Sequence, residues 1–168
     1  WQQTGNPQKN KFAYLTGAYH GETLGALAVG ALGIYKNVYQ KLLFQAIEIQ
    51  GPDCFRCPFQ KTRNNCNIEC FKFAVEKLTN HQLEIAAIIV EPLTQCANGM
   101  TMYPAEYLIK LRELCNNLNI HLICDEIAVG FGRLATIAVS ETIGVTPDFC
   151  LFSKALTGGF LPLAAIVT

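Results

Sequence analysis

At 168 residues, 51% of them hydrophobic, the chain is long enough for about one domain with its own core. Its 13 Lys and Arg balance its 13 Asp and Glu without a basic block, so charge offers no case for nucleic acid or an anionic membrane. No apolar run approaches the ~20 residues of a membrane span, and a soluble, cytoplasmic protein is expected.

The N-terminal Trp1-Gln2-Gln3-Thr4 is neither a signal peptide nor an initiator methionine, and residues 163–168 read as a strand. The segment is therefore expected to be the middle of a longer protein. Lys11-Phe12-Ala13-Tyr14-Leu15 predicts a strand running into the turn Thr16-Gly17-Ala18 and then Tyr19-His20-Gly21. Residues 23–32 predict a helix, with Leu24, Leu27 and Ala28 at helical spacing and Gly25 and Gly30 weakening it. Residues 34–50 read as loop plus a short strand. Residues 51–67, with Gly51-Pro52-Asp53, Pro58 and Asn64-Asn65, are the most loop-like part of the chain.

A helix follows over residues 69–79, and then the apolar run Ile85-Ala86-Ala87-Ile88-Ile89-Val90 ends in Glu91-Pro92. Residues 104–118 predict the clearest helix. Pro104 suits its first position, Glu106 its positive end, and Tyr107, Leu108, Leu111, Leu114, Cys115 and Leu118 form an apolar stripe. Ile120-His121-Leu122-Ile123-Cys124 is a further buried strand, ending in Asp125-Glu126, and Phe149-Cys150-Leu151-Phe152-Ser153 leads to Lys154 and Thr157-Gly158-Gly159. Strand, helix and strand at this spacing predict an α/β fold with a mostly parallel sheet flanked by helices. It would set Glu91, Asp125 and Lys154 along one carboxyl edge, where open α/β sheets bind ligands.

A lysine and an aspartate on one such edge suit pyridoxal phosphate chemistry. Burial would favour the free amine of the lysine, and the acid would keep the pyridine nitrogen protonated. Tyr19 could face the ring and Ile127 could close its other side. On residues alone a second reading stands beside this one: Lys154 as a surface lysine and Asp125-Glu126 as an ordinary strand end. A nucleotide-hydrolase reading of the acid would need a G-x-x-x-x-G-K-[ST] loop, and none is present.

In chain order, Tyr19-His20-Gly21-Glu22-Thr23, Glu91-Pro92, Asn98-Gly99-Met100, Asp125 through Arg133 and Ser153-Lys154-Ala155-Leu156-Thr157-Gly158-Gly159 resemble the class III pyridoxal-phosphate aminotransferases. The resemblance implies the central part of a fold-type I large domain over residues 1–168, with the small domain and both ends of the enzyme outside it. It implies pyridoxal 5'-phosphate bound by Tyr19, His20, Glu91, Asp125, Ile127 and Lys154, with Lys154 the catalytic lysine; His20 could be a base, but with Lys154 available an orienting role is expected. It also implies substrate contacts at Tyr19, Glu22, Arg133 and Gly159, small-molecule substrates (an amino donor and a keto acid) and a homodimer.

Within the family the likeness is to the branch that aminates 8-amino-7-oxononanoate from S-adenosylmethionine in biotin biosynthesis; a lysine donor, or a general ω-amino acid–pyruvate exchange, is the alternative. Where the family continues Thr-Gly after the arginine, Leu134-Ala135 follows Arg133 here, removing a permissive backbone position. The loop is expected to be altered.

Of eight cysteines, Cys96, Cys115, Cys124 and Cys150 fall in or beside predicted buried elements and read as small hydrophobes in a reducing compartment. Cys54-x-x-Cys57 with Cys66 and Cys70 could present four thiolates to zinc. The uneven spacing of the second pair favours unliganded or packing thiols, and no metal is expected. A non-catalytic fragment carrying that site would be the remaining alternative.

Overall fold

A computed structural model describes residues 1–168. The expected first strand is β1 (Lys11–Leu15), in which Ala13 and Leu15 face one side of the sheet and Phe12 and Tyr14 the other. Thr23 then caps α1 (Leu24–Ala28) by accepting the Ala26 N–H at 3.4 Å. The helix ends short of the expected residue 32 because Ala31 N–H is drawn to the Ala18 carbonyl at 2.8 Å.

Residues 34–50 depart from the expectation. The short strand is there as β2 (Ile47–Ile49), but it is preceded by α2 (Gly33–Tyr39). That helix carries its apolar side chains outward, with Ile34 80% and Val38 77% exposed. Inward it is held by a cation: Lys36 Nζ donates to the Gly30 carbonyl and the Tyr14 hydroxyl, each at 2.9 Å. Residues 51–67 form no helix or strand, as expected.

Helix α3 (Phe71–Asn80), strand β3 (Ile85–Val90) and helix α4 (Ala105–Leu118) follow within two residues of their expected limits. Pro104 is the N-cap of α4 rather than its first residue, with an extended ψ of 153°. An unanticipated hairpin, β4 (Thr94–Gln95) with β5 (Thr101–Met102), stands between β3 and α4. The chain continues through β6 (His121–Asp125), a one-turn helix α5 (Val139–Thr142), β7 (Phe149–Phe152) and β8 (Ala165–Val167).

The six main strands form one sheet in the order β2-β1-β3-β6-β7-β8, with only the β7–β8 pair antiparallel. From β1 the chain steps to one side for β2, then crosses to the other side for β3 and β6. A right-handed crossover reverses face when it reverses direction. Accordingly α3 and α4 pack on one face, where Ala74, Leu78, Tyr107, Leu108, Leu111 and Cys115 join the main core, while Val29 after α1 packs on the other with Ala18 and Tyr14. No helix is long and apolar enough to cross a membrane.

The reversal creates a switch point between β1 and β3, and the crevice beyond the carboxyl ends of those strands is where such sheets take ligands. Residues 16–20, Glu91, Asp125 and Lys154 all leave the sheet at that edge.

Candidate active site

Asp125 is the last residue of β6, and the strand's alternation turns it away from the α3/α4 core while Leu122 and Cys124 enter that core. Its carboxylate is nearly inaccessible. One oxygen accepts from His20 Nδ1 at 2.7 Å and the other from Ile127 N–H at 3.1 Å. His20 is equally buried, and its second nitrogen, Nε2, has no partner in the protein. Of the carboxylate's roughly four acceptor directions, two are used.

Glu91 follows β3 and is 4% exposed. Its two oxygens accept backbone N–H groups of Tyr19 at 3.3 Å and Cys96 at 3.2 Å. Burial pushes its carboxyl up to about 7, against the opposing pull of His20 and the two N–H donors. The hairpin of β4 and β5 brings Cys96 into place and is tied back to the exit of β1 by Gln95 Nε2, which donates to the Thr16 carbonyl at 2.9 Å. Gly17, at φ 77°, lies so close to Asn98 that any Cβ there would overlap the amide.

Tyr19, His20, Glu91, Asp125, Ile127 and Lys154 line one cavity of about 430 Å³, together with Gly21, Cys96, Ala97 and Ala128. That is within the usual range for a small-molecule site. The Tyr19 hydroxyl donates to Glu22 at 3.1 Å, and its ring meets that of Tyr35 at 5.6 Å. Burial, followed by the Glu22 bond, raises the Tyr19 phenol above its ordinary value.

Glu22, Arg133 and Gly159 lie outside the cavity lining. Arg133 Nη1 sits 3.4 Å from the carbonyls of Ile127 and Ala128, and Gly159 belongs to a separate surface cleft that also touches Lys154. Lys154 was expected to be buried; it is exposed, because it opens a 3-10 turn at the sheet's rim and is followed by exposed residues 158–164. Lys154 also has a φ of 46°, a left-handed backbone unusual for a side chain of its size.

Sequence reasoning missed Glu126, which is 1% exposed and faces opposite to Asp125. It accepts the backbone N–H groups of Val139 at 3.1 Å and Ser140 at 2.8 Å, and the Ser140 hydroxyl at 2.8 Å, pinning α5 beneath the loop that carries Arg133. That loop is a tight hairpin closed by the Gly132 N–H to the Thr136 carbonyl at 2.8 Å, with Ala135 at φ 63°. The residue replacing the family's glycine thus occupies a glycine conformation.

The model of the class III aminotransferases matches residues 1–168. The chain belongs to that family. It is 41% identical over 166 residues to an adenosylmethionine-8-amino-7-oxononanoate aminotransferase of Geobacter sulfurreducens, covering 98% of this chain and 37% of the relative. A Helicobacter pylori protein of the same name is 42% identical, covering 96% and 35%.

Among solved structures, a PLP-bound amine transaminase from an uncultivated Pseudomonas species superposes with a TM-score of 0.91 at 33% identity, over 99% of this chain and 38% of the other. The adenosylmethionine-8-amino-7-oxononanoate aminotransferase of Methanocaldococcus jannaschii gives 0.84 at 29%, over 98% and 36%. The mixed, mostly parallel sheet flanked by helices matches the fold-type I large domain. The chain spans little more than a third of the length of these relatives.

Proposed function

We propose that the protein carrying this chain is a pyridoxal-phosphate-dependent transaminase that aminates 8-amino-7-oxononanoate with S-adenosylmethionine as donor, in biotin biosynthesis. One observation carries the site: an acid and an amine at the ends of separate strands open into a single cavity. The substrate assignment rests on the relatives' names at 41% and 42% identity. In this reading residues 1–168 are the central part of the large, cofactor-binding domain.

The residues present fit the cofactor. Asp125 keeps acceptor capacity beyond its two protein partners, and it is fixed against rotation by His20 and Ile127. Bound there, pyridoxal phosphate supplies an electron sink for a substrate carbanion. The buried carboxylate of Asp125 would hold a proton on the pyridine nitrogen, and His20 would hold Asp125 in that orientation. Lys154 would supply the amine and move the proton between the two carbons exchanged in transamination. Tyr19 and Ile127 would cover opposite faces of the ring and keep out water, and Arg133 and Glu22 would meet the substrate.

The whole protein is proposed to be a homodimer in the cytoplasm. The outward apolar side chains of α2 suit burial against a second copy, and eight free thiols suit a reducing compartment. An assay offering S-adenosylmethionine, lysine, alanine and glutamate as donors tests the substrate reading. Amination of 8-amino-7-oxononanoate from S-adenosylmethionine, abolished in Lys154→Ala, is the expected outcome. The amine transaminase, with its TM-score of 0.91, favours one rival: transfer to pyruvate alone, from an ω-amino compound, would overturn the biotin assignment.

A further inference from the structure

From Gln50 to Cys70 the backbone makes only turns and bends. A stretch of that length without regular structure in a compact domain needs something other than a backbone ladder to fix it. Four of the eight cysteines fall within it, all free and all half-buried.

Two turns present them. Asp53 Oδ1 accepts the N–H groups of Phe55 at 2.9 Å and Arg56 at 2.8 Å, folding Cys54-x-x-Cys57 into a tight knuckle. On the second turn, Cys66 Sγ accepts the N–H of Ile68 at 3.3 Å, a bond that stabilises charge on sulfur. Ile68 has a φ of 61°, which a β-branched residue adopts only under constraint, and it reverses the chain between Cys66 and Cys70. Cys54, Cys57 and Cys66 line one cavity of about 590 Å³, and charge on any of these three would be felt at the Cys70 thiol.

The surroundings of the thiols are cationic. Lys61 and Arg63 line the same cavity, and Glu69, to which the Cys66 thiol donates at 3.8 Å, is engaged by Lys61 at 3.3 Å and by the Asn67 N–H at 3.1 Å. The uneven spacing, which favoured packing thiols on sequence alone, is accommodated by the left-handed turn at Ile68. Cys54 and Cys70 do pack against the main core, but Cys57 and Cys66 do not, so burial accounts for only half of the cluster.

We propose that Cys54, Cys57, Cys66 and Cys70 bind one zinc ion tetrahedrally, as a structural staple of this loop. The inference stands apart from the transaminase reading, since the cavity shares no residue with the one at Lys154. No three ligating side chains stand in a finished cage in the structure, so binding draws the two turns together, as is usual where metal and fold are coupled. Four S–H bonds break, four Zn–S bonds form and four protons leave to solvent. The resulting complex carries two negative charges, which Lys61 and Arg63 offset; nothing is oxidised.

The test is metal analysis of the whole protein purified without chelator, with free-thiol counting by mass spectrometry on the same sample. Cys57→Ser and Cys66→Ser are the variants of choice because neither thiol belongs to the core. One zinc per chain is expected, lost in either variant. Cobalt exchange should give the intense visible bands of a tetrahedral thiolate site. Zinc near zero with all eight thiols free would overturn the proposal. So would zinc that persists in both variants, which would mark an adventitious ion, or a mass deficit showing paired disulfides in this loop.

Discussion

Glu91 offers the most quantitative test of the site's electrostatics. Its carboxyl is raised from an ordinary 4.5 to about 7, chiefly by burial, a displacement of roughly 2.5 that is equivalent to about 3 kcal/mol at 1.36 kcal/mol each. The sign follows from which state holds the proton. Below about 4.5 the group is neutral in both folded and unfolded chains and costs nothing. Between 4.5 and 7 the folded chain binds more protons, so stability falls as pH rises. Above about 7 the full cost of a buried carboxylate is present.

The titratable groups facing Glu91 are His20 and Asp125. In the cofactor-free protein, Glu91→Gln should remove the dependence, so the variant gains about 3 kcal/mol on the wild type across that window. The amide, like the protonated acid, accepts at one oxygen only, so the variant forgoes one of the two N–H bonds, from Tyr19 and Cys96, that the carboxylate accepts. Urea midpoints at closely spaced pH values from 4.5 to 8, read alongside a carboxyl carbon NMR titration of Glu91, check both the size and the midpoint. Stability curves for the two proteins that run parallel through the window would refute the reasoning.

Ala135→Gly should stabilise the protein by about 1 kcal/mol, because Ala135 holds a left-handed φ of 63° that glycine adopts without strain; chemical denaturation checks it. Glu126→Ala leaves two backbone N–H groups and the Ser140 hydroxyl without their buried acceptor and should cost about 3 kcal/mol, with faster hydrogen exchange at Val139 and Ser140. Gly130→Ala sets a Cβ 2.9 Å from the Glu126 carbonyl oxygen and 3.0 Å from that of Ile137; a loss of about 1–3 kcal/mol in denaturant is expected. The Tyr107 hydroxyl is buried without a partner, so Tyr107→Phe should be neutral or stabilising by up to about 1 kcal/mol, and a larger loss would reveal a missed bond.

The main parallel strands were legible because each is an apolar run too short for a helix and closed by a charged residue, as in β3 and β6, or by a turn, as in β1. Residues 85–90 and 11–15 match their observed limits for that reason. Helix α2 was not legible. Its apolar residues Ile34 and Val38 keep helical spacing, yet they point away from this chain's core, and its anchor is a lysine reaching back to carbonyls and a tyrosine hydroxyl. The hairpin of β4 and β5 is too short to show alternation, and its hold on β1 runs through Gln95 and Asn98 side chains that no periodicity announces. Lys154 illustrates the opposite limit: its place in the chain order was plain, while its exposure depends on how residues 158–164 lie.

Asp125 and Glu126 show why a motif needs a register. Two adjacent acids at a strand end are equivalent in composition, but pleating sends them to opposite sides of the sheet. Cys124 enters the α3/α4 core, so Asp125 must face the crevice at the switch point. Glu126, one step on, turns back toward α5, where three donors await it. Exchanging their roles would require a one-residue slip of β6 against β3, which would drive His121 and Ile123 into the core in place of Leu122 and Cys124. The apolar burial of those two side chains is therefore what decides which carboxylate faces the cavity, and the chemistry proposed for Asp125 depends on packing made on the far side of the sheet.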